Sequence, residues 1–127
     1  MDNHNLYEYA VIRFVPDVER AEFVNVGLVM MCKRRRWLRV DLRVDEERIR
    51  AFFGVSDADM AGLQAQLQSF VLIAEGRGVS PLAQLPVEER FRWLTAVRSA
   101  CLQTSRPHPG LTEDLDATFT RLLTRYL

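Results

Sequence analysis

The amino-acid sequence predicts an α+β fold: a single domain over residues 1–127, with an antiparallel three- to four-stranded meander and three to four helices packed mainly on one sheet face. Three observations support this prediction. From residue 6 to residue 44, apolar and polar side chains alternate with the two-residue period of strands. The connections there are short, as between antiparallel neighbours. From residue 45 to residue 127, apolar side chains repeat at helical spacing instead.

The first three elements are strands, because they are rich in β-branched and aromatic residues. They cover Leu6–Val15, Phe23–Cys32 and Trp37–Val44. Pro16–Ala21 forms the first turn, since its proline restricts one backbone dihedral angle. The second turn is the basic run Lys33–Arg36, which is typical of a solvated hairpin tip and is also a candidate contact for a partner.

The next two elements are helices with recognisable start and stop signals. A short helix over Glu46–Phe53 is capped by Asp45. A longer helix begins at Ser56 or Asp57 and ends at the glycine pair that starts with Gly76.

A third helix begins at Pro86, with acidic residues in its first turn that favour the positive end of the helix dipole. Residues 99–105 form a short fourth strand, although a continued helix is the alternative. Ser105–Gly110 contains two prolines and cannot be helical. Thr112 starts a last helix with one apolar stripe.

The composition is balanced: 17 Lys plus Arg and 17 Asp plus Glu give a formal net charge of zero. A protein that coats nucleic acid would carry a basic excess, so nucleic acid is a less favoured partner. With 48% hydrophobic and 27% charged residues, the chain is neither disordered nor membrane-spanning. Its polar first residues do not match a secretory signal. We therefore expect a cytoplasmic protein with no membrane partner.

Cysteines and histidines are too few and too scattered for a metal site. Cys32 and Cys101 lie in apolar stretches without a C-x-x-C spacing, which indicates reduced thiols in the core. His4 and His108 are the two histidines, so no spaced zinc cluster is expected. No glycine-rich phosphate loop is present either. We expect no metal and no cofactor.

Strand alternation sorts side chains onto two faces. On the third strand, Leu38 and its even-numbered neighbours form an apolar face. On the second strand, the same rule assigns one face to Val24, Val26, Leu28, Met30 and Cys32. The opposite sheet face mixes aromatic and basic residues and is the candidate interaction face: Tyr7, Tyr9, Trp37, Arg39 and Arg43. Such a surface is able to stack nucleic-acid bases, but the balanced charge favours a protein interface.

Two polar features are candidates for chemistry. Arg13 lies in an apolar strand and needs an anionic partner, for which Asp17, Glu19 or Glu22 are nearby. The densest polar stretch, residues 98–110, combines possible nucleophiles, a base and two cations: Ser99, Ser105, His108, Arg98 and Arg106. No G-x-S-x-G turn precedes either serine, so an ordered surface loop is the favoured interpretation over catalysis.

Separated motifs together give the chain a family resemblance. They are Tyr9–Arg13, Glu22–Gly27, Leu85–Pro86, Glu89–Phe91, Trp93–Leu94, Arg98–Ser99 and His108–Gly110. In these motifs the chain resembles the bacterial family named domain of unknown function 3037. The resemblance implies a small accessory or regulatory partner of a HipA-like serine/threonine kinase of a toxin–antitoxin type system. The family pattern also includes a candidate polar site, with no role implied for any member: Arg13, Glu22, Asn25, Arg98, Ser99 and His108.

These observations lead to two expectations about function. The first is a non-enzymatic interaction or accessory module that binds a protein partner, such as the HipA-like kinase, through the candidate interaction face or the basic turn. A homodimer with a self-complementary polar face is compatible with it. The second is a phosphate-directed function, either nucleotide or nucleic-acid binding or a metal-independent nuclease. It would use a pocket between the first hairpin and the 98–110 loop.

Overall fold

The computed structural model describes residues 3–96 and 100–127. An antiparallel sheet and four α-helices confirm the predicted α+β class. The strands are β1 (Asn5–Phe14), β2 (Val24–Cys32), β3 (Trp37–Leu42), β4 (Leu102–Thr104) and β5 (His108–Thr112). The helices are α1 (Glu46–Phe53), α2 (Asp57–Ala74), α3 (Val87–Leu94) and α4 (Leu115–Tyr126), with a short 3-10 turn at Pro81–Gln84.

The sheet is built around β1, which pairs with β2 on one side and with both β4 and β5 on the other. The strand order is β3-β2-β1-β4, so β1 to β3 form the predicted meander. The predicted short fourth strand is present as β4. A fifth strand begins at His108, inside the segment interpreted as a loop. Pro107 and Pro109 prevent a helix there, but they do not prevent an edge strand.

Three of the four helices cover one face of the sheet and α4 covers the other, which confirms the prediction that the helices lie mainly on one face. The larger core joins α1, α2 and α3 to one face, with Ile12, Val29 and Phe91 among its buried members. A second core packs α4 on the opposite face, around Phe119 and Leu28. The sheet is therefore the middle layer of three.

A β-bulge in β2 explains why simple alternation misassigned this strand. Ile12 pairs with Gly27 and Arg13 pairs with Asn25, so Val26 is an extra residue without a partner on β1. An extra residue reverses the side-chain alternation beyond it. The expected common face of the even-numbered β2 residues is wrong for this reason. Val24 and Val26 contact the α1–α3 core, whereas Leu28 and Met30 contact α4.

Side-chain caps define the helix starts, mostly as the sequence predicts. Asp45 accepts a hydrogen bond from the Arg48 backbone N–H at 3.0 Å. Ser56 forms a capping box with Asp59 and thereby settles the start of α2. The start of α4 is a correction, because Asp114 and not Thr112 is its N-cap.

Two further findings concern the cysteines and the helices. Cys32 is buried, as predicted, but Cys101 is exposed, so the core interpretation of Cys101 is wrong. Cys101 directly precedes β4, whose first residue, Leu102, enters the core, so strand alternation places the Cys101 side chain on the opposite side. Within residues 3–96 and 100–127, no helix has both the length and the apolar character needed to cross a bilayer.

Candidate functional site

The polar residues of the sheet meet at the C-terminal end of α4. Arg13 and Asn25 are direct cross-strand partners on β1 and β2. The Asn25 side-chain amide donates a hydrogen bond to the Tyr126 backbone carbonyl at 3.3 Å. The Arg13 guanidinium carbon lies 4.2 Å from the centroid of the Phe23 ring. A cation held against an aromatic face in this way is stabilised electrostatically.

Arg13 and Asn25 each leave one buried polar atom without a hydrogen bond. These atoms are Arg13 Nε, a donor, and Asn25 Oδ1, an acceptor. A buried polar atom without a partner costs about 1–3 kcal/mol. Of the hairpin carboxylates considered as partners for Arg13, Glu22 pairs instead with Arg20 at 2.7 Å. Glu22 therefore does not join Arg13 and Asn25.

An aromatic chain continues this polar region along β1. The hydroxyl oxygens of Tyr9 and Tyr126 are 3.0 Å apart, and the Tyr9 and His108 ring centroids are 5.3 Å apart. Burial, followed by the hydrogen bond to Tyr126, raises the pKa of Tyr9 from 10.0 to about 12. Tyr9 is therefore a neutral hydroxyl at physiological pH. We call Arg13, Asn25, Tyr126, Tyr9 and His108 the polar strip.

Three members of the candidate polar site thus share one strip, namely Arg13, Asn25 and His108. Glu22 lies apart from them. Arg98 and Ser99 lie outside the described residues. Tyr9 and Tyr126 link the strip together and were missed as members of this site; the cross-strand pairing of Tyr9 with His108 depends on β5, which the sequence did not indicate.

Ser105, considered as a nucleophile, has a structural role instead. It is buried, and its Oγ accepts a hydrogen bond from the Val11 backbone N–H at 2.9 Å. The same hydroxyl donates to the Arg106 carbonyl at 3.2 Å. Both hydrogen-bonding functions of the hydroxyl are in use, so the serine holds β1 to the connection between β4 and β5.

A cleft opens beside the strip, between the end of α4 and the start of α1. Its volume is about 680 Å³, and Asn25 and Tyr126 line it together with Phe23, Arg43 and Arg48. Two arginines near an unpartnered amide oxygen make this cleft polar. It contains groups that are able to bind an anion, and an acceptor that is able to take a ligand N–H or O–H.

The candidate interaction face is not an open surface, because α4 packs against most of it. Tyr7 is only 7% exposed. Arg39 donates to Asp116 of α4 at 2.9 Å, and its guanidinium carbon lies 4.4 Å from the Phe119 ring centroid. Trp37 also packs edge-on against Phe119. Arg43 is the member of this face that remains exposed.

An exposed apolar surface lies on the other face of the sheet and was missed. Leu6 and Leu111 are direct cross-strand partners on β1 and β5. They are 62% and 65% exposed. Alternation along β1 puts Leu6 on the same face as the buried Ala10 and Ile12, so its place in the strand does not indicate its exposure. Recognition of β5, with Leu111 opposite Leu6, would have been needed to place both at an uncovered margin.

A groove of about 380 Å³ separates this margin from α3. Its walls include Leu6, Phe91, Arg92, Pro107 and Pro109; we call it the α3 groove. Arg92 also borders a second hollow, of about 510 Å³, beside Trp93. Trp93 is 55% exposed. The exposed apolar surface thus extends from the β5 margin across α3.

Among the described residues, no group of three or more His, Cys, Asp or Glu is placed to hold a metal ion.

Comparison with known proteins gives one family. Neither the curated proteins nor the solved structures contain a match to this chain. The model of the family described as protein of unknown function DUF3037 matches residues 9–127, nearly the whole chain. The chain therefore belongs to the DUF3037 family.

Proposed function

We propose that the protein is a non-enzymatic interaction module that binds a protein partner at the α3 groove. The observation that carries this proposal is the exposed pair Leu6 and Leu111, which lie side by side at 62% and 65% exposure. Side chains of this size usually lose most of their contact with water on folding. An adjacent pair left outside the core is typical of a surface that a partner covers.

The shape of this surface favours a macromolecule over a small ligand. The α3 groove and the hollow beside Trp93 share Arg92 as a common border. One partner that contacts both hollows would cover Leu6, Leu111 and Trp93 together. Tryptophan and arginine are also the residue types that contribute most to binding at protein interfaces.

The groove rim indicates the chemistry of that partner. The rim carries both signs of charge: Glu8 and Glu88 are acidic, and Lys33 and Arg92 are basic. The matching surface is an apolar segment flanked by charges of both signs. A HipA-like kinase is the first candidate, because the family resemblance implies such a partner. The free thiols Cys32 and Cys101 support binding in the reducing cytoplasm.

The test is co-expression with a HipA-like kinase, followed by size exclusion and titration calorimetry. The double substitution Leu6→Asp with Leu111→Asp is expected to weaken binding at least tenfold, because it places charge in the apolar contact. Val79→Asp is the matched control, since Val79 is an exposed apolar residue that does not line the groove. A complex of unchanged affinity in the double variant, or no complex at micromolar concentration, would contradict the proposal.

A phosphate-directed function at the polar strip is the second candidate. It is favoured by the unpartnered Arg13 Nε and Asn25 Oδ1 on adjacent strands. A phosphate would supply an acceptor for arginine donors, and a base or sugar would supply a donor for the amide oxygen. Calorimetry with ATP and with a short single-stranded oligonucleotide tests this. We expect Arg13→Leu to abolish binding and Arg20→Leu to leave it unchanged. Absence of binding to the unmodified protein rejects the candidate.

A further inference from the structure

The two edges of the sheet differ in whether they permit another strand to add. One edge is formed by β4 and β5, which both pair with β1. β4 has only three residues, and β5 contains Pro109, which has no backbone N–H to donate. At the other edge, β3 (Trp37–Leu42) contains no proline and pairs only with β2 among the described strands. Edge strands without a blocking feature are templates for strand pairing. The β3 edge is therefore the available one.

One hydrogen bond shows which backbone N–H and carbonyl groups of β3 face away from β2. The Arg43 backbone N–H donates to the Val26 carbonyl at 2.8 Å, so Arg43 directs its backbone groups toward β2. Because backbone direction alternates along a strand, Leu38, Val40 and Leu42 direct theirs away from β2. The Leu42 N–H is bound by the Asp41 carboxylate at 2.9 Å. Val40, at the centre of the strand, keeps an outward N–H and carbonyl for a partner.

The sequence of β3 is complementary to itself when it is read in reverse. An antiparallel copy related by a two-fold axis through Val40 places Leu38 opposite Leu42 and Arg39 opposite Asp41. With Val40 opposite Val40, three apolar pairs and two opposite-charge pairs result. Such cross-strand pairs contribute roughly 0.2–1 kcal/mol each.

The two registers centred one residue to either side of Val40 bring like charges together. An axis through Arg39 places Arg39 opposite itself. An axis through Asp41 places Asp41 opposite itself and Arg39 opposite Arg43. Charge complementarity therefore selects the Val40 register among these alternatives.

We propose that two copies of the chain associate through β3 in the Val40 register and form one continuous sheet. Val40 of each copy exchanges both backbone hydrogen bonds with Val40 of the other, and Leu38 does so with Leu42. The Asp41 carboxylate leaves the Leu42 N–H and pairs with Arg39 of the second copy. Arg39 already contacts Asp116 at 2.9 Å, so each interface charge joins a short network. The α3 groove takes no part in this contact.

The experiment uses single charge reversals in the full chain, with molar mass measured by sedimentation equilibrium. The unmodified protein is expected at twice its 14.7 kDa. Arg39→Glu places acidic residues opposite one another, and Asp41→Arg places basic residues opposite one another. Each variant alone is expected to dissociate at least about tenfold more readily, since two attractive pairs become repulsive. Arg20→Glu, an exposed charge reversal in the first turn, is the control.

Mixing the two variants gives the decisive result. In a mixed pair, Glu introduced at position 39 faces Arg introduced at position 41, and the native Asp41 faces the native Arg39. Equimolar mixing is therefore expected to restore the dimer. The proposal is overturned if the unmodified protein is monomeric at about 100 µM, a concentration at which a weak interface forms. It is also overturned if each variant alone stays dimeric. A mixture of folded variants that stays monomeric would also overturn it.

A second measurement needs no substitution. Amide hydrogen exchange of Val40 in the unmodified protein is expected to slow as protein concentration rises, because the dimer binds that N–H. The Leu111 amide serves as the internal control, since β5 is outside the interface. Exchange of Val40 that is independent of concentration would contradict the β3 pairing, even if the charge variants do not fold.

Discussion

Ser105 forms with Val11 the two hydrogen bonds that a neighbouring strand would form, and it uses its side chain for one of them. The Ser105 backbone N–H donates to the Val11 carbonyl at 2.8 Å, and Ser105 Oγ accepts from the Val11 N–H at 2.9 Å. This pair lies where β4 has ended and β5 has not begun. One hydroxyl thus satisfies a backbone donor that the gap would otherwise leave buried without a partner.

Ser105→Ala is expected to lower the free energy of unfolding by about 1–3 kcal/mol, because it leaves the buried Val11 N–H without an acceptor. Urea denaturation measures this difference. Ser69→Ala, at an exposed position of α2, is the control and is expected to change stability little. Equal stabilities for the two variants would mean that the Val11 N–H finds another acceptor.

Two glycine substitutions are expected to act in opposite directions. A Cβ at Gly27 would lie 2.8 Å from Leu42 Cδ2 and 2.9 Å from the Asp41 carbonyl oxygen. Gly27→Ala is therefore expected to destabilise the protein by about 1–3 kcal/mol. At Gly62, inside α2, a Cβ meets nothing within 4 Å. Gly62→Ala is expected to stabilise by about 0.5–1 kcal/mol. Thermal unfolding of both variants tests the prediction, and a stabilising Gly27→Ala would contradict the close packing of β2 on β3.

Tyr9 is expected to make stability fall in strongly alkaline solution. Its pKa is 10.0 as a free side chain and about 12 in the folded protein. Between these values the unfolded chain releases the Tyr9 proton while the folded chain keeps it, so unfolding becomes more favourable as pH rises. Below 10.0 the contribution is fully present. In Tyr9→Phe the fall in unfolding free energy between pH 10 and pH 12 should be shallower. Parallel curves for the two proteins would show that Tyr9 does not contribute.

Asp114 is expected to be the residue on which the start of α4 depends. Its side chain accepts a hydrogen bond from the Ala117 backbone N–H at 3.0 Å. Asp114→Ala should cost about 1 kcal/mol of stability through loss of this cap. Glu113→Ala is the adjacent control, since Glu113 is not the N-cap and its carboxylate makes an exposed 3.8 Å contact with His4. Equal effects in chemical denaturation would argue against the cap.

Local signals in the sequence were sufficient to locate most of the strands and helices. Alternation located the first three strands, and Asp45 and Ser56 marked the starts of α1 and α2. These features depend on near neighbours in the chain, such as the bond from Ser56 to Asp59. Of the candidate polar site, Arg13 and Asn25 are cross-strand partners, because consecutive strands of a meander lie side by side.

The sequence by itself determined the α+β class, the meander and the N-caps of α1 and α2. Only the tertiary structure decided which sheet face α4 covers, where β2 changes its alternation and where β5 pairs. The physical reason is that Tyr7 and Leu28 are apolar on one face while Ile12 and Val29 are apolar on the other, so both faces require burial. Which helix covers which face depends on contacts between distant residues, such as Arg39 with Asp116. That choice in turn left Leu6 and Leu111 exposed and buried Tyr7.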